Sequence, residues 1–128
     1  MPNPLLDAFL AGDVAGAAAH LAPGATFHSP VADYDGRDRI TALWSAVAQV
    51  LESPRATAVI EGDGETVAFF SATFQGRAGD GVLRVVGQPA REVTLMVRPL
   101  ETLIPAVKEM ARLLLAPAHG HGWPSGRG

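Results

Sequence analysis

The amino-acid sequence predicts a single α+β domain in which short helices and one long helix pack against an antiparallel sheet. Three observations predict this class. The first 50 residues carry apolar side chains mostly at helical spacing, interrupted by one short strand. Residues 56–98 read as strands divided by short turns, which favours an antiparallel meander. An amphipathic stretch follows Pro99, so we expect a helix to close the domain.

Two short helices are predicted at the N-terminus. Pro4 suits a first helical turn, and the apolar face that follows comprises Leu5, Leu6, Phe9 and Leu10. Gly12 ends this helix, and Asp13 is a suitable N-cap for the second one. The apolar side of the second helix comprises Val14, Ala17, Ala18 and Leu21.

A strand over residues 25–30 and a turn over residues 33–36 are predicted to precede the long helix. That helix begins at Arg37 or Asp38 and ends before Ser53 and Pro54, because a proline disfavours helical backbone in the residue before it. Its single apolar stripe comprises Ile40, Leu43, Trp44, Val47, Val50 and Leu51.

The middle of the chain predicts four strands. They cover residues 56–61, 65–75, 82–86 and 91–98, with a loop containing three glycines at 76–81. Strands 65–75 and 91–98 carry apolar side chains on both faces. A sheet that is solvated on one face normally alternates apolar and polar side chains. We therefore expect a second subunit to cover the outer face, giving a homodimer.

The closing helix carries an apolar stripe of Leu103, Ile104, Val107, Met110, Ala111 and Leu114, with Pro105 tolerated in its first turn. Residues 1–116 are predicted as the domain, and residues 117–128 as a surface tail rich in Gly, Pro and His. The tail contains His119 and His121, but two imidazoles are too few for a structural metal site. We expect no metal.

Composition excludes several functional classes. The 128 residues carry a formal net charge of −3, which argues against a nucleic-acid surface. Apolar runs such as residues 14–19 are too short to cross a membrane, and no signal peptide is recognised. The chain has no Cys, which is compatible with a reducing cytoplasm. Abundant Ala and Gly with a single lysine, Lys108, indicate a bacterial source. We expect a soluble cytoplasmic protein.

Three segments of the sequence carry a family resemblance. They are LDAFLAGD at residues 6–13, ATFHSPV at 25–31 with YDG at 34–36, and EVTLMVRP at 92–99. Together with the order of elements, they resemble the nuclear transport factor 2-like superfamily, in its branch of SnoaL-like polyketide cyclases and ketosteroid isomerases. The resemblance extends to about Leu115. It implies a cone in which a curved sheet wraps around the long helix, a pocket for an apolar small molecule, and pairing through the outer face of the sheet.

The resemblance also implies where catalytic groups would lie. In the isomerases, a carboxylate base ends the first strand, a tyrosine lies on the first helix, and a protonated acid begins a later strand. These positions fall at Ser29, at Leu5 and near Gly81, with Asp80 adjacent. A serine does not accept a proton near pH 7 without a further base. The isomerase mechanism is therefore not expected, nor is the Asp-Arg-Asp set of related epoxide hydrolases, and no cofactor is expected.

The alignment of these positions with the family implies which side chains point into the cone, and most of them are apolar. The pocket is predicted to comprise Phe9, Phe27, Ser29, Trp44, Val47, Phe70, Ala72, Leu83, Leu95 and Val97. Such a lining suits a small hydrophobic ligand, and it suits a core filled by side chains equally well.

Three polar residues are the weak catalytic candidates. His28 would act as a general base with a partner such as Asp33, and Tyr34 would orient a ligand. The alternatives are a histidine on the outer face and a solvated turn. Three functions therefore remain open: a binder of a small hydrophobic molecule; a cyclase, isomerase or hydrolase that uses His28, Tyr34 and an aspartate from residues 33–38; and a dimerisation or interaction module.

Overall fold

A computed structural model describes residues 3–115 of the chain. Within that range the elements are α1 (Pro4–Leu10), α2 (Val14–Ala18), β1 (Leu21–His28), β2 (Asp33–Asp35), α3 (Arg37–Val50), β3 (Leu51–Gly62), β4 (Glu65–Phe74), β5 (Arg77–Gly87), β6 (Ala90–Arg98) and α4 (Leu100–Leu115). The α+β class is confirmed, with short N-terminal helices, a long middle helix and a closing helix. The predicted tail lies outside the described residues.

The six strands form one sheet in the order β2-β1-β6-β5-β4-β3. Strands β3 to β6 form the expected antiparallel meander. The first strand joins this meander in parallel, because Phe27 of β1 pairs with Val93 of β6. The curved sheet thus has a short edge strand, β2, at one side and a long edge strand, β3, at the other.

The core lies between α3 and the inner face of the sheet. Trp44 of α3 is 1% exposed and makes edge-to-face contacts with Phe9 and Phe27, at centroid distances of 5.4 and 5.5 Å. Contacts of this kind contribute about 0.5–1.5 kcal/mol each beyond the burial of apolar area. Trp44 therefore joins the first helix, the first strand and the long helix in one cluster.

Both short helices are capped at their N-termini, the second one by Asp13 as predicted. The Asn3 side chain accepts a hydrogen bond from the Leu6 backbone N–H at 3.0 Å, and the Asp13 side chain accepts one from Gly16 at 2.9 Å. Each cap satisfies a backbone donor at a helix start that would otherwise lack a partner. The second helix ends earlier than predicted, since Leu21 begins β1.

The predicted loop at 76–81 is wrong, because β5 begins at Arg77. The connection is a tight hairpin at Gln75 and Gly76, whose φ angles are 53° and 83°. The glycines that suggested a loop serve a packing purpose. A Cβ at Gly79 would lie 2.9 Å from the Phe74 ring, so the aromatic side chain of the neighbouring strand needs this glycine.

Three further boundaries differ from the sequence prediction. Residues 33–35 form the short strand β2, where a turn was predicted. Strand β3 begins at Leu51, and Pro54 lies inside it at a shift of register, which an edge strand tolerates because its outer N–H groups are unpaired. Pro105 lies inside α4 and not in its first turn, because the helix already begins at Leu100.

Candidate functional site

A pocket lies where the long helix, the ends of β1 and β6, and α4 meet; it is called the main pocket here. Its volume is about 160 Å³. Five of the predicted pocket residues line it, namely Phe27, Ser29, Val47, Leu95 and Val97. The closing helix covers it with Leu103, Ala106, Val107, Met110, Ala111 and Leu114. The apolar stripe of α4 was visible in the sequence, but nothing in the pattern showed that it faces a pocket.

Ser29 stands where the family resemblance places a catalytic base, and its hydroxyl is engaged by a turn. The hydroxyl donates a hydrogen bond to the Ala32 carbonyl at 2.7 Å and accepts one from the Ala32 N–H at 3.0 Å. It also lies 3.3 Å from the Val31 N–H. Ser29 therefore holds the turn between β1 and β2, and its geometry supplies no proton acceptor to the pocket.

Tyr34 is the other residue with a polar side chain among the described residues of the lining. It pairs with Phe27 across β1 and β2, and the guanidinium carbon of Arg39 lies 5.9 Å from its ring centroid. Within residues 3–115 its hydroxyl makes no hydrogen bond. The hydroxyl of Tyr34 is thus the group available to a ligand.

His28 lies on the opposite face of β1 from Phe27, beside Thr94 of β6. Its Nδ1 lies 2.8 Å from the Asp33 carboxylate, and its Nε2 lies 2.9 Å from that of Glu92. The proposed role of His28 as a base in the pocket required its ring to face inward. The geometry does not provide this, because both ring nitrogens contact carboxylates, those of Asp33 and Glu92, on the face of β1 opposite to Phe27.

The surroundings of His28 form a row of alternating charges across the sheet. Glu92 lies 3.9 Å from Arg84, which in turn contacts Glu65 at 2.6 Å. The hydrogen bond to Asp33 is the main reason why the pKa of His28 is raised above its ordinary value. The charge of Asp33 and the contact with Glu92 act in the same direction, and partial desolvation opposes them.

The other two catalytic positions that the resemblance implies are occupied by residues of the packed interior. Leu5 is 1% exposed and belongs to the core. A Cβ at Gly81 would collide with Cζ of Phe70, so the ring of Phe70 occupies the space in which an acidic side chain would begin. The adjacent Asp80 faces away and lies 3.3 Å from Arg98.

The remaining predicted pocket residues lie elsewhere. Leu83 and Phe70 are buried in the core at 0% and 2% exposure. Phe9 and Trp44 line a second cavity, and Ala72 lines a shallow groove near the end of β4. These residues are thus divided between the buried core and separate cavities.

Comparison with known proteins defines the class. The model of the SnoaL-like domain family matches residues 4–98, and the chain belongs to this family. None of the curated proteins compared with the chain matches it.

Three solved structures share the fold. An uncharacterised bacterial protein with a cystatin-like fold from Silicibacter pomeroyi has a TM-score of 0.82 at 20% identity, over 91% of this chain and 86% of that one. A steroid delta-isomerase from Pseudomonas aeruginosa has a TM-score of 0.76 at 27% identity, over 85% of each chain. A protein with a ketosteroid isomerase-like fold from Catenulispora acidiphila, in complex with trimethylamine, has a TM-score of 0.63 at 12% identity, over 83% of this chain and 93% of that one.

The part of the chain that the structure describes contains neither a candidate membrane span nor a metal-binding cluster. No helix between residues 3 and 115 has the length and apolar character needed to cross a membrane. In the same part of the chain, no three His, Asp or Glu side chains cluster closely enough to hold a metal ion.

Proposed function

We propose that the protein binds a small hydrophobic molecule in the main pocket, beneath α4. The observation that carries this proposal is the chemistry of the pocket: its lining is apolar, and the hydroxyl of Tyr34 makes no hydrogen bond to any residue that the structure describes. Burial of apolar surface would provide the affinity, and the hydroxyl would orient the ligand. No charged side chain lines the pocket among the described residues, so the ligand is neutral.

The volume limits the size of the ligand. An apolar cavity of about 150 Å³ accommodates benzene. The 160 Å³ pocket therefore suits one ring with a few substituents, or a short branched chain. A four-ring steroid has about three times as many non-hydrogen atoms as benzene, so on the same scale it exceeds the pocket and would require α4 to move.

A matched pair of probes tests the proposal. Calorimetry and thermal unfolding with p-cresol should show saturable binding and stabilisation, whereas the anion 4-methylbenzoate should not bind, since no residue between 3 and 115 brings a cation to the pocket lining. The variant Val107→Phe fills the pocket and should abolish the effect. Ile104→Phe is the control. Ile104 lies on the same helix and is 45% exposed, so this variant should still bind p-cresol. Equal binding of both probes, or undiminished binding by Val107→Phe, would overturn the proposal.

A second candidate function is isomerase or cyclase catalysis, which the 27% identity to a steroid delta-isomerase favours. The residues at the catalytic positions oppose it, since Ser29 is engaged in a turn and Gly81 is covered by Phe70. Incubation with a Δ5-3-ketosteroid, followed by the ultraviolet absorbance of the conjugated enone, should show no turnover above buffer. Turnover that Tyr34→Phe abolishes would instead establish the enzyme.

We also propose that two copies pair through the outer face of the sheet. Phe69, Val82 and Met96 form a row across three strands, and Phe69 and Met96 are 43% and 57% exposed. A contiguous apolar surface of this kind is typical of an interface, and a two-fold axis would place the same row against itself. Light scattering should give a dimer for the wild type and for Ile104→Glu, and a monomer for Phe69→Glu. A monomeric wild type at micromolar concentration would contradict this.

Cytoplasmic location and bacterial origin stay predictions from composition. Fractionation of the source cells would test the first of them.

A further inference from the structure

The exposed residues of its lining mark the mouth of the main pocket. Val31 is 63% exposed and Leu114 is 43% exposed. Residues deeper in the lining are buried, among them Phe27, Leu43 and Leu95. Val31 belongs to the turn between β1 and β2, and Leu114 to the last turn of α4. The mouth therefore lies between this turn and the end of the helix, and Val31 and Leu114 are called the pocket rim here.

The apolar surface at the rim continues along the end of α4. Leu115, next to Leu114, is 70% exposed, and Ala111 of the pocket lining, one turn earlier on the same helix, is exposed as well. Because Val31 lines the same pocket as Leu114, these side chains form one apolar surface around the mouth. A contiguous exposed surface of this kind is typical of a site that another segment or molecule covers.

The chain itself brings a segment to this place. Residues 116–128 follow α4 directly, so they start beside the pocket rim. Pro117 disfavours helical backbone in the residue before it, and we therefore expect the segment to leave the axis of α4. An extended chain spans about 3.3–3.6 Å per residue, so Trp123 reaches any point within roughly 26 Å of Leu115. The rim lies well inside that distance, because Leu114 is the neighbour of Leu115.

Trp123 is the only aromatic residue of residues 116–128, which otherwise contain Ala, Pro, His, Gly, Ser and Arg. A tryptophan side chain buries about 150–250 Å² when it is covered. A short tether holds it near the rim at a local concentration of about millimolar, so a weak contact is populated. An indole is about half as large again as benzene, for which a cavity of about 150 Å³ suffices, so the 160 Å³ pocket does not take up the whole ring. The mouth is therefore the place that it fits.

We propose that residues 116–128 fold back across the mouth of the main pocket and that the indole ring of Trp123 packs on Val31 and Leu114. The contact closes the pocket toward solvent, and a ligand enters when the segment is released. A bound ligand is then enclosed between α3, α4 and this segment. The contact forms in the free protein and needs no ligand, so its test is independent of the experiment with p-cresol.

Acrylamide quenching of tryptophan fluorescence measures the contact directly. The chain has two tryptophans, and Trp44 is only 1% exposed. The variant Trp123→Phe gives the signal of Trp44, which is subtracted from that of the wild type. The remaining quenching constant, that of Trp123, should be severalfold lower than in a peptide of residues 116–128. It should not change on dilution, because the contact lies within one chain. A constant equal to that of the peptide would overturn the proposal, as would protection that disappears on dilution.

Substitutions at the rim locate the contact. Val31→Ser and Leu114→Ser should each raise the quenching constant of Trp123 toward that of the peptide. Ile104→Ser is the matched control, because Ile104 is a 45% exposed residue of α4 outside the pocket lining, and it should leave the constant unchanged. Protection that both rim variants retain would overturn the proposal. Its loss in Phe69→Glu alone would place Trp123 on the outer face of the sheet and would overturn it too. Val31 and Leu114 are exposed, so neither rim variant removes core packing, and thermal unfolding of each variant checks that it is folded.

Discussion

The aromatic ring of Phe70 lies over the Cα atom of Gly81 on the neighbouring strand. A side chain at Gly81 would begin 2.7 Å from Cε2 of Phe70 and 3.0 Å from the Met96 carbonyl oxygen. The two residues are direct cross-strand partners in β4 and β5. The glycine is therefore a requirement of the buried ring, and the same contact removes the position at which an isomerase of this fold would carry its acid.

Gly81→Ala should destabilise the protein, because the added methyl group needs space that Phe70 and the Met96 carbonyl occupy. Overpacking of a core costs typically about 1–3 kcal/mol. Urea denaturation would measure the loss. Gly62→Ala is the control, because a Cβ there meets no atom within 4 Å, and its stability should be nearly unchanged. An equal effect of both substitutions would contradict the packing role of Gly81.

Ser29→Ala should loosen the turn between β1 and β2, since three backbone contacts of the hydroxyl are lost. We expect a loss of about 1 kcal/mol for the exposed turn, by analogy with a lost cap. Ser29→Thr keeps the hydroxyl and should retain most of the stability. Chemical denaturation of the three proteins would show this order. A stable Ser29→Ala protein with altered ligand affinity would instead place the hydroxyl in the main pocket.

Thr102 connects α4 to the sheet. Its hydroxyl, in a residue only 3% exposed, donates a hydrogen bond to the Ala78 carbonyl at 2.8 Å. Thr102→Val keeps the shape and leaves that carbonyl without this donor, so we expect a loss of about 1–3 kcal/mol. Because α4 covers the main pocket, the affinity for a pocket ligand should fall as well.

Thr102→Ser is the matched control for that experiment, and it should behave like the wild type in both calorimetry and unfolding. A ligand affinity that stays the same in destabilised Thr102→Val would show that α4 does not contribute to binding.

His28 should make stability depend on pH. Its pKa is raised in the folded protein above the ordinary value of 6.5, chiefly by the hydrogen bond to Asp33. The stabilisation is therefore complete below about pH 6.5 and disappears as the pH rises through the folded-state pKa. Because 35% of the His28 side chain is exposed, we expect its protonation to contribute at most about 1 kcal/mol to the free energy of unfolding. Unfolding of the wild type across this range should show the decrease.

Two substitutions test the origin of that dependence. His28→Gln should remove the decrease, and Asp33→Asn should reduce it, because the main partner of the imidazolium is lost. A wild-type decrease that both variants reproduce would assign it to another group.

The helices and the α+β class followed from the sequence because apolar spacing and caps are local. The predictions that were wrong concern segments whose structure depends on residues distant in the sequence. Gly79 and Gly81 were interpreted as a loop, since the rings that cover them belong to another strand. Residues 33–35 were interpreted as a turn because a three-residue strand depends on its partner, here β1.

The candidate site was only partly predictable for a related reason. Alternation in β1 placed Phe27 inward and left His28 outward. The choice between an inner catalytic His28 and an outer one needed the contacts of its ring with Asp33 and Glu92, which lie far apart in the sequence. The contribution of α4 to the main pocket depends on how that helix docks, which the stripe of apolar residues does not specify. Helical spacing placed Trp44 on the apolar stripe, whereas only the packing shows that its indole N–H has no hydrogen-bond partner among residues 3–115.

The parallel pairing of β1 with β6 has a consequence for synthesis of the chain. Phe27 meets Val93 only after the whole meander between them has been translated, so the edge of β1 that pairs with β6 leaves the ribosome long before its partner strand exists. Contacts of such large sequence separation form late and slow folding. That edge of β1 therefore stays unpaired while β3 to β5 assemble, and a messenger truncated before the codons of β6 would produce a chain with an open strand edge, which favours aggregation.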